Sequence, residues 1–412
     1  MATTASAPRF QRPKRTRPKV AHRSALLGAM FLMATSAVGP GFIIQTTTFT
    51  VQLGAAFAFA ILVSILVDIA VQLNVWRVIG VSGKRAQELA NTVLPGAGWF
   101  LAALICLGGL VFNIGNIAGT GLATNVLFGV DPKVGGVISA AIAIAIFLSK
   151  RAGLALDKIV VILGAVMIAL IAYVAIVSQP PLGDALKNAV IPDNVDFLII
   201  TTLIGGTIGG YITYAGAHRM IDAGVTGTGN VKEITRSSVL GIIITGVIRV
   251  LLFFAILGVV AGGVSLTSDN LPAEAFQAAA GEVGLTLFGI VLWAASITSV
   301  IGAAYTSISF VTTAKTKPRT RSIATVVFIA VSTVVFTLLG QAPATLLIMA
   351  GAINGLILPV GFAVILWVAW RRRDLLGGYV YPKVLLVIGV AAWLLTLFLG
   401  YKSLSGLALL WA

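Results

Sequence analysis

Long apolar stretches alternate with short polar ones along almost the whole chain, and the polar stretches carry nearly all of the charge. A run of about 20 apolar residues, coiled as an α-helix, matches the thickness of a bilayer's hydrocarbon core. Eleven such spans are predicted, near residues 25–53, 54–75, 97–127, 134–150, 158–178, 196–217, 238–262, 284–313, 322–340, 344–370 and 383–401. The expected fold class is therefore an all-α polytopic membrane protein. Two of the spans carry helix breakers. The first contains Gly39-Pro40-Gly41, and the sixth contains Gly205, Gly206, Gly209 and Gly210. Non-helical backbone at that depth survives only inside protein or against a water-filled cavity.

Composition agrees with this reading. The 412 residues are 58% hydrophobic and 10% charged, where a soluble domain has roughly 25% charged residues. The net charge of +15 raises the question of a polyanionic partner, which the positions of the charges answer. With the N-terminus in the cytoplasm, 24 of the 28 Lys and Arg residues fall in the tail and inner loops. Only Lys133, Lys187 and Lys402 fall outside, and Arg249 lies within a span. That is the positive-inside asymmetry, so the expected partner is the lipid bilayer and not nucleic acid. The expected location is a plasma (inner) membrane, with the C-terminus external.

Residues 1–24 read as a basic cytoplasmic tail held near anionic headgroups. The apolar run behind them is too long for a cleaved signal segment. The lone cysteine, Cys106, has no internal disulfide partner. The inner loop "VSGKRAQELANTVLPG" (81–96) predicts a short helix opened at Ser82 and stopped before Pro95.

The loop 178–196 divides spans one to five from spans six to ten. Five is odd, so the two blocks insert with opposite orientation, as an inverted repeat requires. The expected organisation is the tail (1–24), a first repeat (25–178), a second repeat (196–370) and an extra span (383–401). Gly205–Gly210 alone would fit close helix packing. A matching proline break in the first span favours discontinuous helices around a midplane site.

The sequence resembles the NRAMP (natural resistance-associated macrophage protein) family of metal-ion transporters. The resemblance lies in "GPGF" at the first break and "SGKRAQELANTVLPG" after span two. It continues in "IGNIAGTGLATNVLFG" (114–129), "LFGIVLWAASITSVIGA" (287–303) and "LLIMAGAINGLILPVGFAVILW" (346–367), followed by "RRRDLLGGYV". It implies the leucine-transporter-like fold, with ten helices in two inverted repeats plus extras, and helices one and six discontinuous.

The resemblance also implies where cargo ligands should stand, and there the chain departs from the family. NRAMP transporters carry Asp-Pro-Gly-Asn at the first break, with Asp and Asn as metal ligands; here Gly39 and Phe42 occupy those positions. The family's Met-Pro-His on the sixth helix falls on Gly209, Gly210 and Tyr211. Acidic residues of the third helix, linked in the family to proton movement, fall on Asn113 and Asn116. A dehydrated divalent ion needs carboxylate, carbonyl or softer donors, and Asn does not titrate. The expectation is an atypical ion site without the family's proton route.

Two ionisable groups lie well within spans. Arg249 is about 18 Å into span seven, and Asp68 about 10 Å from the inner edge of span two, at 1.5 Å per residue. Such residues mark functional sites or buried pairs. An Asp68–Arg249 charge pair, a fixed positive charge for an anionic solute, and an Arg snorkelling into an inner cavity all fit the sequence. The expected cargo-site residues are Gly39, Gly41, Phe42, Gln45, Asn113, Asn116, Gly209, Gly210, Tyr211, Arg249 and Asn354. His218 reads as a solvated loop residue.

The functional reading is an NRAMP-related secondary transporter, whose family role is divalent metal ion transport by alternating access. One alternative is a permease for a small anionic or organic solute, such as an amino acid, using Arg249. Another is a non-transporting membrane sensor or assembly partner. With no nucleophile–base pair, phosphate loop or metal-spaced His/Cys cluster in the sequence, neither an enzyme nor a cofactor is expected.

Overall fold

A computed structural model describes residues 34, 36–313, 316–339 and 342–409, with the side chains of 150–161 and 405–409 excepted. The basic tail, the start of the first span and Lys315 lie outside the described residues. The described residues form helices without a strand. In chain order the helices are α1 (Pro40–Leu53), α2 (Phe57–Ser82), α3 (Ala86–Val93), α4 (Ala97–Phe128), α5 (Pro132–Leu148), α6 (Lys150–Val177) and α7 (Leu182–Val190). They continue as α8 (Phe197–Thr207), α9 (Ile212–Asp222), α10 (Val231–Ala261), α11 (Leu271–Val311), α12 (Pro318–Leu338), α13 (Pro343–Arg371) and α14 (Lys383–Leu409).

Each of the eleven predicted spans has its helical counterpart, although length and apolarity alone pick out eight stretches among the described residues. Spans one and two run together as Pro40–Ser82, where only a short 3-10 turn at Gly54–Ala56 intervenes. Gly54, at φ +53°, makes the turn without the clash a side chain would bring. The fourth span, Pro132–Leu148, has only 17 residues, about 26 Å at the helical rise. The fifth continues into α7 through a 108° bend at Gln179, Pro180 and Pro181. The loop expected at 178–196 therefore contains a helix that the sequence reading missed.

The inner loop follows expectation at one end only. Its helix stops at Val93, before Pro95, but starts at Ala86 rather than at Ser82. Ser82 closes α2, with Gly83 at φ +66° ending that helix. The new helix opens where the Arg85 amide donates to Glu88 Oε2 at 2.9 Å, which satisfies one orphan N–H of its first turn.

The broken sixth span, Phe197–Asp222, is the most enclosed of the long apolar stretches, whereas α12 and α14 are mostly exposed at the periphery. Small residues let α13 approach α8 closely. A Cβ on Gly205 would overlap the Gly351 carbonyl and the Gly355 amide, and one on Gly355 would overlap the Thr201 carbonyl. Gly205 is therefore a packing residue, the reading that its spacing alone had allowed.

Candidate transport site

Both predicted interruptions are present. The first covers Val38 and Gly39, between helical residues at 36–37 and α1; Gly39 is extended (φ −81°, ψ −174°), with Pro40 at the first helical position, where its missing N–H is no loss. The second spans Ile208–Tyr211 between α8 and α9, with Gly210 at φ +53°. Two properties demand glycine at 210. The left-handed backbone penalises any side chain, and a Cβ would overlap Asn354 Oδ1 of α13.

The interruptions meet at a buried, neutral, polar centre. Phe112 of α4 packs edge-on against Tyr211 at 5.5 Å between centroids and lines the space beside Gly41. The Tyr211 hydroxyl faces Ser36 and Asn116 without a well-formed hydrogen bond to either. Gln45 donates through Nε2 to the Leu347 carbonyl at 2.9 Å, while its Oε1 is unpartnered. The amide of Gln45 lies between Gly206 and Gly351, where side chains would collide with it. Asn354 donates to the Gly108 and Ala350 carbonyls at 3.0 and 2.8 Å and keeps an unpartnered Oδ1 beside Gly210. Buried orphan polar atoms are rare, and here Ser36, Gln45, Asn116, Tyr211 and Asn354 contribute one each around the breaks.

The predicted residues divide accordingly. Gln45, Asn116, Tyr211 and Asn354 converge on the breaks. Gly39 sits against Ser299 of α11, so tightly that a Cβ would lie 2.8 Å from its Oγ. Asn113 is elsewhere: its Nδ2 donates to Ser332 Oγ of the peripheral α12 at 3.2 Å. Gly209 packs against Gly205 and the Asn354 carbonyl. Among the described residues no three His, Cys, Asp or Glu side chains cluster to hold a metal ion.

The charge pair expected between spans two and seven is formed. Arg249 Nη1 lies 4.0 Å from Asp68 Oδ2 and donates to Ser64 Oγ at 3.0 Å, all three residues being buried. The guanidinium carbon also lies 4.7 Å from the centroid of the Phe42 ring, a cation–π distance. On the other side, Thr207 Oγ1 lies 3.2 Å from Asp68 Oδ1. The pair thus reaches both interruptions, through Phe42 at the first and Thr207 at the second. Ser64 and Gln72, whose amide atoms are also unpartnered, were missed in the sequence. Ser64, Asp68 and Gln72 recur every four residues, which places them on one helix face and was a legible signal.

A second polar cluster ties α3 to α9, α11 and α12. Arg85 donates to the Ser309 and Thr312 carbonyls, each at 2.9 Å, and pairs with Asp222 at 2.6 Å. Asp222 also accepts from the Tyr305 hydroxyl and lies 3.6 Å from Arg321. His218 is buried here, contrary to its expected place in a solvated loop. Its Nε2 accepts from the Ala86 amide at 3.3 Å, which assigns the ring proton to Nδ1, 2.8 Å from Ser309 Oγ. The helix α3 covers it, and that covering is tertiary.

Residues 30–406 match the sequence model of a family described as natural resistance-associated macrophage protein-like. The chain belongs to the Nramp family. Two relatives extend that placement. An uncharacterized membrane protein of Bacillus subtilis, YcsG, is 49% identical over 98% of this chain and 100% of its own length. An uncharacterized membrane protein of Haemophilus influenzae is 53% identical over 89% of this chain and 92% of its own. Among solved structures, a mutant of the Eremococcus coleocola manganese transporter aligns over 98% of this chain and 90% of that one, with a TM-score of 0.76 at 18% identity. MhsT in complex with L-phenylalanine aligns over 91% and 98%, with a TM-score of 0.65 at 16% identity. At such identities the structural likeness speaks for the fold. This Nramp-family chain is accordingly an all-α, multi-pass membrane protein with the leucine-transporter-like fold.

Proposed function

We propose that this protein is a secondary transporter working by alternating access, in which the Nramp-family cargo site has been rebuilt without the family's acidic and thioether ligands. The observation that carries this reading is the meeting of two helix interruptions at unpartnered amide and hydroxyl groups, with no acid or thioether among them. Divalent metal transport is the family role, and a hydrated hard ion is the metal cargo that such donors suit. A dehydrated manganese or iron ion would lack the charge to offset its lost hydration. Proton movement along the third helix is not part of the proposal, since Asn113 and Asn116 do not titrate.

The proposed organisation keeps two inverted repeats, 25–178 and 196–370, with an extra span at 383–401. It has a cytoplasmic N-terminus and an external C-terminus in a plasma (inner) membrane, and no enzymatic activity. The test is uptake of manganese and of magnesium into liposomes holding the purified protein, with internal pH recorded. Manganese uptake coupled to acidification is expected to be absent. Saturable manganese uptake with acidification would overturn the rebuilt site.

A second reading has its own observation. Phe42, at the family's Asn ligand position, carries the Arg249 guanidinium on its ring. A permanent cation there repels metal cargo and favours an anionic or zwitterionic organic solute.

A further inference from the structure

Arg249 is held by one of its three nitrogens. Nη1 engages Ser64 and Asp68, whereas Nε and Nη2 are buried with no hydrogen-bond partner among the described residues. The division matters, because Nε–H and Nη2–H form one edge of the guanidinium fork. Two parallel donors on that edge match the two oxygens of a carboxylate. Leaving such an edge unpaired inside protein is strongly unfavourable, and the surroundings hold it in place. One guanidinium face rests on Phe42, and Nη1 is fixed at the far corner.

We infer that the Nε/Nη2 edge of Arg249 receives the carboxylate of the transported solute. The inference rests on the transporter reading and names its cargo class: small organic monocarboxylates, free or zwitterionic. Three further features fit. The N-terminus of α1 opens at Pro40, two residues before Phe42, and helix N-termini favour anionic groups. Thr46 lies one turn beyond Phe42, on the same helix face, and its buried hydroxyl is unpartnered. Asp68 already offsets part of the guanidinium charge, which disfavours a dianion relative to a monoanion. Unpartnered Gln45 Oε1 and Asn354 Oδ1 are acceptors for N–H or O–H groups elsewhere on the solute.

The test uses the full chain in liposomes and detergent. The probes are acetate, L-lactate, L-alanine, L-glutamate and L-phenylalanine, each beside its primary amide, with manganese and magnesium as separate arms. At least one carboxylate is expected to raise the unfolding temperature and to be taken up saturably, while its amide does neither. Arg249→Lys keeps the charge but loses the fork, and should weaken that carboxylate at least tenfold, about 1.4 kcal/mol. Asp68→Asn should preserve or tighten it. Should Arg249→Lys fold poorly, Phe42→Leu, which removes the ring beneath the guanidinium, should weaken the same carboxylate. Equal response to acid and amide, or unchanged affinity in both Arg249→Lys and Phe42→Leu, overturns the inference. Metal uptake without any carboxylate response overturns it and leaves the transporter reading standing. No uptake of any probe overturns both.

Discussion

Thr207 Oγ1 lies 3.2 Å from Asp68 Oδ1, and Arg249 Nη1 lies 4.0 Å from the other oxygen of the same carboxylate. The last helical turn before the second interruption is thereby joined to a buried charge that also reaches the first, through Phe42. Movement of either broken span relative to α2 and α10 has to strain or remake these contacts.

Breaking the pair from one side should be worse than removing it. Asp68→Asn and Arg249→Gln each leave the other group short of a partner, a loss of about 3–5 kcal/mol for a buried pair. The double variant should recover a substantial part of that. Thermal unfolding of the purified proteins in detergent, read as a double-mutant cycle, checks it; additive losses would remove the coupling.

Thr207→Val keeps the side-chain shape and deletes one hydrogen-bonding group. About 1 kcal/mol of stability should be lost, with a larger relative effect on transport rate than on folding. Comparing unfolding temperature with initial uptake rate separates the two.

Gly210→Ala introduces a Cβ at φ +53° and against Asn354 Oδ1. The backbone strain alone is about 1–3 kcal/mol. Adding Asn354→Ala should relieve the collision and leave the backbone strain, so recovery should be partial. Full recovery of the unfolding temperature would mean that the left-handed backbone contributes nothing.

Restoring ligand residues should not restore a metal site. Gly39→Asp with Phe42→Asn puts an acid where a Cβ already crowds Ser299 and leaves the guanidinium beside the break without its ring. No manganese-dependent rise in unfolding temperature is expected. A rise there would show that the donor set alone governs cargo.

At the α3 end, Arg85→Ala removes three contacts, to the Ser309 and Thr312 carbonyls and to Asp222. Asp222 retains Tyr305 and Arg321, so the loss should fall at or below the low end of the 3–5 kcal/mol typical of a broken buried pair. Amide hydrogen exchange over 305–312 should accelerate, because the carbonyls that Arg85 holds belong to the end of α11.

The sequence by itself determined the class of fold, the spans and the two interruptions. Apolar run length and the placement of Gly and Pro are local properties that the bilayer's thickness and dryness convert directly into helices and breaks. It also located Asp68 and Arg249, since a charge in an apolar run stands out on composition alone. The tertiary structure decided which groups are partners. Asn113 turns to Ser332 while Asn116 turns to Tyr211, although they stand three residues apart on one helix. His218 is buried beneath the start of α3, where its polarity predicted a solvated loop, and Arg85 is buried against Asp222 and the end of α11. Above all, Arg249 pairs through Nη1 and leaves its Nε/Nη2 edge buried without a partner. No single-helix pattern encodes that, because it depends on where three helices, α1, α2 and α10, place their side chains around one guanidinium.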